Sequence, residues 1–212
     1  MKESGVKRDW EVLEKAGLEE GLKLIDGMDS VNAVDDNNEI ALGCACWNSD
    51  KAAALAFIDR LLSRGADINA VNSVSEPPLR YACENPDKST AFALIEKLFS
   101  CGAGLGGRKT PEKLLEFACG YPDEDSAVRL LDTLAEKGMD FNSPDESGRT
   151  PFMYLCSNPV SATALALAYK FAELGVNPAA KDGAGRDVFY YIDEERPAGA
   201  ELKKFFTDLI NK

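Results

Sequence analysis

The chain of 212 residues contains no histidine. That removes the side chain most often used as a general base near neutral pH and excludes a Ser-His or Cys-His nucleophile pair. Aromatic residues make up 8% of the chain and include two tryptophans. Positive charge is in the minority: 24 basic residues stand against 36 acidic ones, a net charge of −12. That sign is a poor match for DNA or RNA, whose phosphates are held through lysine and arginine, and for an anionic membrane surface. No apolar run approaches the length of a bilayer span, and the polar first ten residues lack the apolar core of a signal peptide. The glycine-rich stretch 102–107 follows a helical pattern, whereas a phosphate-binding turn of the dinucleotide type follows a strand and opens a helix. Cys44-Ala-Cys46 has no second pair of ligands nearby, and zinc needs about four. An enzyme, a cofactor and a metal centre are therefore not expected.

What is present is a ruler. Glycine recurs at 65, 102, 138 and 175 and cysteine at 46, 83, 119 and 156, both in steps of 37, 36 and 37 residues. Leu42, Leu79, Leu115 and Phe152 keep the same register, as do Leu61, Leu98, Leu134 and Phe171, and Ala54, Ala91, Ala127 and Ala164. A fixed period in this range marks stacked structural repeats, each too small to bury its apolar face alone. The four cysteines share one register, so neighbours in that ladder lie a repeat apart, beyond the roughly 7 Å between alpha carbons that a disulfide tolerates. They read as reduced, buried thiols in a reducing, cytoplasmic compartment.

One unit shows the grammar. Residues 113–119 have the apolar density of a short buried helix, and Tyr121-Pro-Asp-Glu-Asp125 breaks it. Residues 126–137 place Val128, Leu130, Leu131, Leu134 and Ala135 on one face at helical spacing. Gly138 then closes the second helix in the left-handed conformation glycine adopts most readily. Asp123-Glu-Asp125 suits the N-terminus of that helix, where negative charge is favoured. Equivalent pairs read as 40–46 with 51–64, 77–83 with 88–101, and 150–156 with 160–174.

Gly65-Ala-Asp-Ile-Asn69-Ala, Gly138-Met-Asp-Phe-Asn142 and Asp145-Glu-Ser-Gly-Arg-Thr-Pro-Phe152 resemble the ankyrin repeat, in which paired helices are joined by a beta-turn segment and the first helix opens with Thr-Pro-Leu-His-x-Ala. Thr150-Pro151 matches that opening, and Pro78-Leu79-x-x-Ala82 and Ala41-Leu42-x-x-Ala45 match it in part. The resemblance implies an all-α solenoid of paired antiparallel helices with short hairpin links. It spans residues 1–212 as one repeat domain: an N-terminal cap at 1–34, repeats at 35–71, 72–107, 108–144 and 145–181, and a C-terminal cap at 182–212. Two departures stand out. The units are longer than the family's 33 residues, the excess falling between the paired helices. Gly43, Arg80, Glu116 and Met153 replace the family's histidine, which implies looser hairpins.

In ankyrin proteins partners dock on the concave face, along turn tips and the exposed side of each first helix. Register carries that face onto Asn37, Glu39, Trp47 and Asn48, then Val74, Glu76, Glu84 and Asn85, then Lys109, Glu112 and Tyr121, then Glu146, Arg149, Ser157 and Asn158, with Arg186 in the C-terminal cap. Trp47 shares its register with Glu84, Gly120 and Ser157, a position open to polar residues. It either meets a partner as a hot spot or folds back on its own connecting turn. Tyr121 either lines the face or caps its turn. The glutamates along the face form either a groove graded toward the arginines, suited to a basic peptide, or an ordinary solvated surface. The resemblance implies a non-enzymatic, monomeric module for a protein or peptide partner; an inhibitor or regulatory subunit of an enzyme or toxin is the alternative. A structural spacer or self-assembly unit is the other reading, which the elaborated end caps oppose, because they cover apolar faces needed for end-to-end growth.

Overall fold

The second helices of the first three repeats each begin at an aspartate that caps them. Asp50 accepts from the backbone N–H groups of Ala52 and Ala53 at 2.9 and 3.1 Å, Asp87 from Thr90 at 2.7 Å, and Asp123 from Ser126 at 2.9 Å. Such a cap is worth about 0.5–2 kcal/mol, because it satisfies donors that the helix leaves unpaired. At the other end Gly65, Gly102, Gly138 and Gly175 take φ of +85°, +94°, +79° and +74°, the left-handed closure that the glycine ladder predicts.

A computed structural model describes residues 9–106, 109–157, 163–195 and 198–211. The described residues form twelve helices: α1 Val12–Lys15, α2 Leu18–Asp26, α3 Ala41–Cys46, α4 Lys51–Ser63, α5 Pro78–Cys83, α6 Lys88–Ser100, α7 Lys109–Cys119, α8 Glu124–Glu136, α9 Pro151–Ser157, α10 Ala164–Glu173, α11 Val188–Tyr191 and α12 Gly199–Ile210. Among these residues the extended structure is limited to one isolated antiparallel bridge, Val34 to Ile40. None of the helices is long and apolar enough to cross a membrane. The chain divides into two compact units, Met1–Thr110 and Pro111–Lys212.

In the first unit α1, α3 and α5 pack side by side, and so do α2, α4 and α6. The core is aliphatic: Ile58 and Leu61 of α4 and Leu94, Ile95 and Leu98 of α6 are fully buried. Each such side chain contributes about 1.5–3 kcal/mol on leaving water. Gly21 of α2 is where the ring of Phe57 comes to rest, and a Cβ at that position would fall among its ring atoms.

The second unit is built more on aromatic rings. Phe152 of α9 meets Phe171 of α10 at 5.7 Å and Phe206 of α12 at 4.9 Å between ring centres, both edge-on. All three are fully buried, and the edge-to-face geometry adds to their burial. Outside the cores, ion pairs link successive second helices: Arg60 to Asp26, Lys97 to Asp59 and Lys170 to Asp132, each at 2.5 Å. Exposed pairs of this kind add about 0–1 kcal/mol apiece.

The cysteine ladder is buried at Cys46, Cys119 and Cys156 and half-buried at Cys83, and every cysteine is a free thiol. Burial pushes the Cys156 thiol up to about 12, so it stays protonated and acts as a small apolar side chain. Groups of histidine, cysteine, aspartate and glutamate arranged for a metal ion are absent among the described residues.

Candidate functional site

The hairpin tips are shaped by one residue type. Asp35 accepts through Oδ1 from the backbone N–H of Asn37 and Glu39 at 2.8 and 2.9 Å. Asn72 does the same for Val74 and Glu76 at 3.0 and 2.9 Å. So do Asp145 for Ser147 and Arg149, both at 2.8 Å, and Asp182 for Ala184 and Arg186 at 2.8 and 2.9 Å. An aspartate or asparagine that bonds its own backbone two residues on is an Asx turn. The turn also needs a left-handed residue three positions later, and Asn38, Ser75, Gly148 and Gly185 supply it at φ +66°, +67°, +80° and +77°. The hairpins are therefore firmly clasped without the family's histidine, contrary to the looser turns its loss implies.

The third repeat breaks this rule for a reason its residues state. The register of Asp35 holds Arg108, which cannot accept, and the register of Asn38 holds Pro111, whose ring locks φ near −65°. Proline is harmless in the first turn of a helix, where its missing N–H has no partner to lose. The chain accordingly continues as helix, and α7 starts at Lys109 rather than at 113. Lys109 and Glu112 thus lie in a helical first turn and not at a hairpin tip.

The second carboxylate oxygen of each clasp reaches inward. Asp145 Oδ2 accepts from the Tyr154 hydroxyl at 2.8 Å and from Arg149 Nε at 2.9 Å. Asp182 Oδ2 accepts from Tyr191 and, at 2.7 Å, from Arg186 Nε. Each guanidinium lies 4.5 Å from a ring centre, Arg149 over Tyr154 and Arg186 over Tyr190. In the first unit the same position is Asn72, whose amide donates to the Tyr81 hydroxyl at 2.7 Å, and that hydroxyl donates to Glu39. Tyr81, Tyr154 and Tyr191 share one register, a signal present in the sequence and missed by the reading of tips alone. Arg149, Arg186 and Glu39 are consequently half-buried parts of the turn as well as surface groups.

These contacts set the charge of the two clasps. The Tyr191 hydroxyl, with the N–H groups and guanidinium of Arg186, holds the Asp182 carboxyl well below the usual carboxylate range. Burial alone would raise Asp145, but the N–H of Arg149, the Tyr154 hydroxyl and the guanidinium outweigh it, and its carboxyl is lowered too. A carboxylate depressed by folding stabilises the native state above its unfolded value of about 3.9 and loses that contribution as the pH falls through the native one. Stability of the second unit should therefore decline as pH drops from about 4 toward 2, and Asp182→Asn should flatten that decline. Chemical denaturation followed by circular dichroism across this range reads both curves; superimposable curves would remove the clasp from the acid response.

Two residues placed on the face by register belong to the interior. Asn48 and Asn85 are 3% and 5% exposed. Asn48 Nδ2 donates to the carbonyls of Leu13 and Ala16 at 2.8 and 2.9 Å, and Asn85 Nδ2 to those of Cys46 and Asn48 at 2.8 and 3.0 Å. Their carbonyls accept from the N–H of Asp50 and Asp87 at 2.9 and 3.0 Å. They tie the first two repeats to the element before each, pairing carbonyls that the helix-connecting turn leaves inside. Asn158, in the same register, lies outside the described residues.

The remaining positions face outward to different degrees. Asn37 and Glu146 are exposed at their tips, and Ser157 is exposed at the end of α9. Among the described residues Val74 is the most open of the large apolar side chains, at 69%. Tyr121 is half-buried and packs on Phe117 at 5.3 Å. Glu76 and Glu84 bracket the half-buried Arg80, whose nitrogens lie 3.7 and 2.7 Å from them. Trp47 leans on Tyr81 of the following repeat rather than on its own connecting turn, ring centres 5.8 Å apart, and remains 38% exposed. In the second unit Glu116, Cys119, Arg149, Tyr154 and Ser157 line a small cavity of about 190 Å³.

No protein-family profile matches this sequence, and no curated protein matches it either. Solved structures do. A chain in the complex of the predatory endopeptidase Bd0816 from Bdellovibrio bacteriovorus with the immunity protein Bd3460 is similar at TM-score 0.70 and 19% identity, over 94% of this chain and 96% of that one. An ankyrin repeat domain from Acinetobacter baumannii AYE is similar at TM-score 0.66 and 18% identity, over 94% and 97%. The ankyrin repeat protein EF0377 is similar at TM-score 0.65 and 21% identity, over 93% and 94%.

Proposed function

We propose that this chain, which has the ankyrin repeat fold, is a non-catalytic module that binds another protein through its hairpin tips and the outward ends of its first helices. The observation that carries the reading is Val74: a large apolar side chain left 69% open at a tip whose shape Asn72 sets through the backbone. Contiguous exposed apolar surface favours a protein interface, and in this reading Val74 and Trp47, an aromatic of the type enriched in interface hot spots, belong to one such surface. The similarity to a chain from an endopeptidase–immunity protein complex supports recognition of protein as the task. The same similarity favours a second reading, in which the bound partner is an enzyme and binding inhibits it.

Affinity capture from native lysate tests the proposal, with wild type compared against a Trp47→Ala, Val74→Asp double variant matched for folding by circular dichroism. Proteins retained by the wild type and depleted at least about tenfold from the variant are the expected result, the loss of about one hot spot. An identical set from both would put the interface elsewhere. Loss of a captured enzyme's activity on adding the chain would select the inhibitory reading.

A further inference from the structure

The chemistry around Trp47 narrows the class of partner. One side of its ring leans on Tyr81, and the hydroxyl of that same tyrosine donates to Glu39, so the exposed indole and the carboxylate are joined by a single side chain. Glu39 does not stand alone. Burial raises the Cys44 thiol, and Glu14, Glu39, Asp35 and Glu11 raise it further, so negative charge predominates near this part of the first repeat. Glu14 is raised by burial first and then by the repulsion of Glu11, with Lys15 opposing and Glu39 adding to it. Like charges held together in a folded protein are costly unless a cation joins them. On the following repeat Glu84 occupies the register of Trp47, and Arg80 lies between Glu84 and Glu76, one guanidinium serving two carboxylates. The aromatic surface is thus bordered by an excess of negative charge on both repeats of the first unit.

We propose that this surface seats an arginine side chain from a basic segment of the partner, the guanidinium lying on the exposed indole of Trp47 and bonding to the carboxylates of Glu39 and Glu84. The inference rests on the protein-binding reading above. Arginine fits better than lysine for a physical reason: its planar, weakly hydrated guanidinium stacks on an aromatic face and still offers edge N–H groups to carboxylates, whereas an ammonium is a compact, strongly hydrated point charge. Tryptophan is also the best of the aromatic rings for a cation. In the second unit Gly120 and Ser157 stand in the register of Trp47, so that position carries no aromatic ring there.

The test uses the full chain and short capped peptides at low ionic strength, Gly-Arg-Gly-Arg-Gly against its lysine and glutamate counterparts. The two indole N–H signals in a nitrogen–proton correlation spectrum are the probes. Trp10 is 6% exposed and its Nε1 is bonded to the carbonyl of Ala33, so it serves as an internal control. The Trp47 signal should move with the arginine peptide at an affinity at least about threefold above that of the lysine peptide, while the glutamate peptide leaves it in place. Trp47→Ala, read from the amide signals of α3 and α5, should weaken the arginine peptide by about tenfold. The Glu39→Gln, Glu84→Gln pair should do likewise. Equal response to arginine and lysine, or binding unaffected by these variants, overturns the inference. A captured partner lost from the Trp47 and Val74 variant while arginine peptides leave Trp47 unmoved would sink the inference and keep the binding reading. Arginine peptides that bind as described, with no captured partner, would do the reverse.

Discussion

Replacing Asn85 with leucine, a side chain of similar size, is expected to lower the stability of the first unit by about 2–4 kcal/mol. The substitution keeps the volume and removes the amide, leaving the carbonyls of Cys46 and Asn48 and the N–H of Asp87 without their partner. Each buried group left unsatisfied costs about 1–3 kcal/mol, and water entering the turn recovers part of that. The control is Asn37→Leu at an exposed tip, which should change stability by less than about 0.5 kcal/mol. Urea denaturation followed by circular dichroism separates the two. Equal midpoints would mean that the amide is dispensable and that Asn85 belongs on the surface after all.

Phe206→Ala is the second large effect, a loss of about 3–5 kcal/mol in the second unit. The ring is fully buried and lies edge-on to Phe152 at 4.9 Å and to Phe205 at 5.1 Å, so its removal leaves a cavity among these rings. Ile210 of the same helix is 40% exposed, and Ile210→Ala should cost no more than about 1 kcal/mol. A thermal melt of both variants distinguishes a helix that completes the core from one that merely lies on it. If the two fall together, α12 is not the cap that its sequence pattern indicates.

Much of this molecule is legible in its sequence because a repeat states each rule several times. The glycine ladder marks the left-handed helix ends, and the aspartates at 50, 87 and 123 mark the starts. Leu202, Phe205, Phe206, Leu209 and Ile210 recur at helical spacing and mark the capping helix, of which Leu202 and Phe206 are buried while Ile210 is left 40% exposed. Periodicity is a weaker guide to the face, because it groups residues by position and says nothing of depth. Asn48 and Asn85 share a register with surface candidates and are buried, since hydrogen bonds to carbonyls a repeat away do not show in spacing. Lys109 and Glu112 stand where the other repeats have a tip, and Pro111 turns that tip into the first turn of α7. That exception was readable, because a left-handed position occupied by proline is a contradiction in the sequence itself.

The clasped tips have a consequence for how such a protein changes over generations. Their shape depends on an aspartate or asparagine, on two backbone N–H groups and on one left-handed residue. The side chains at 36, 37, 73, 74, 146 and 147 take no part in those bonds. A mutation there alters what is displayed without disturbing what displays it, so recognition can drift, be copied from one repeat to the next, or be rewritten by design at little risk to folding. The asparagines and phenylalanines beneath have no such freedom. A lineage under pressure to follow a changing partner would therefore diverge fastest at these tips, while the period of 36 or 37 residues stays readable.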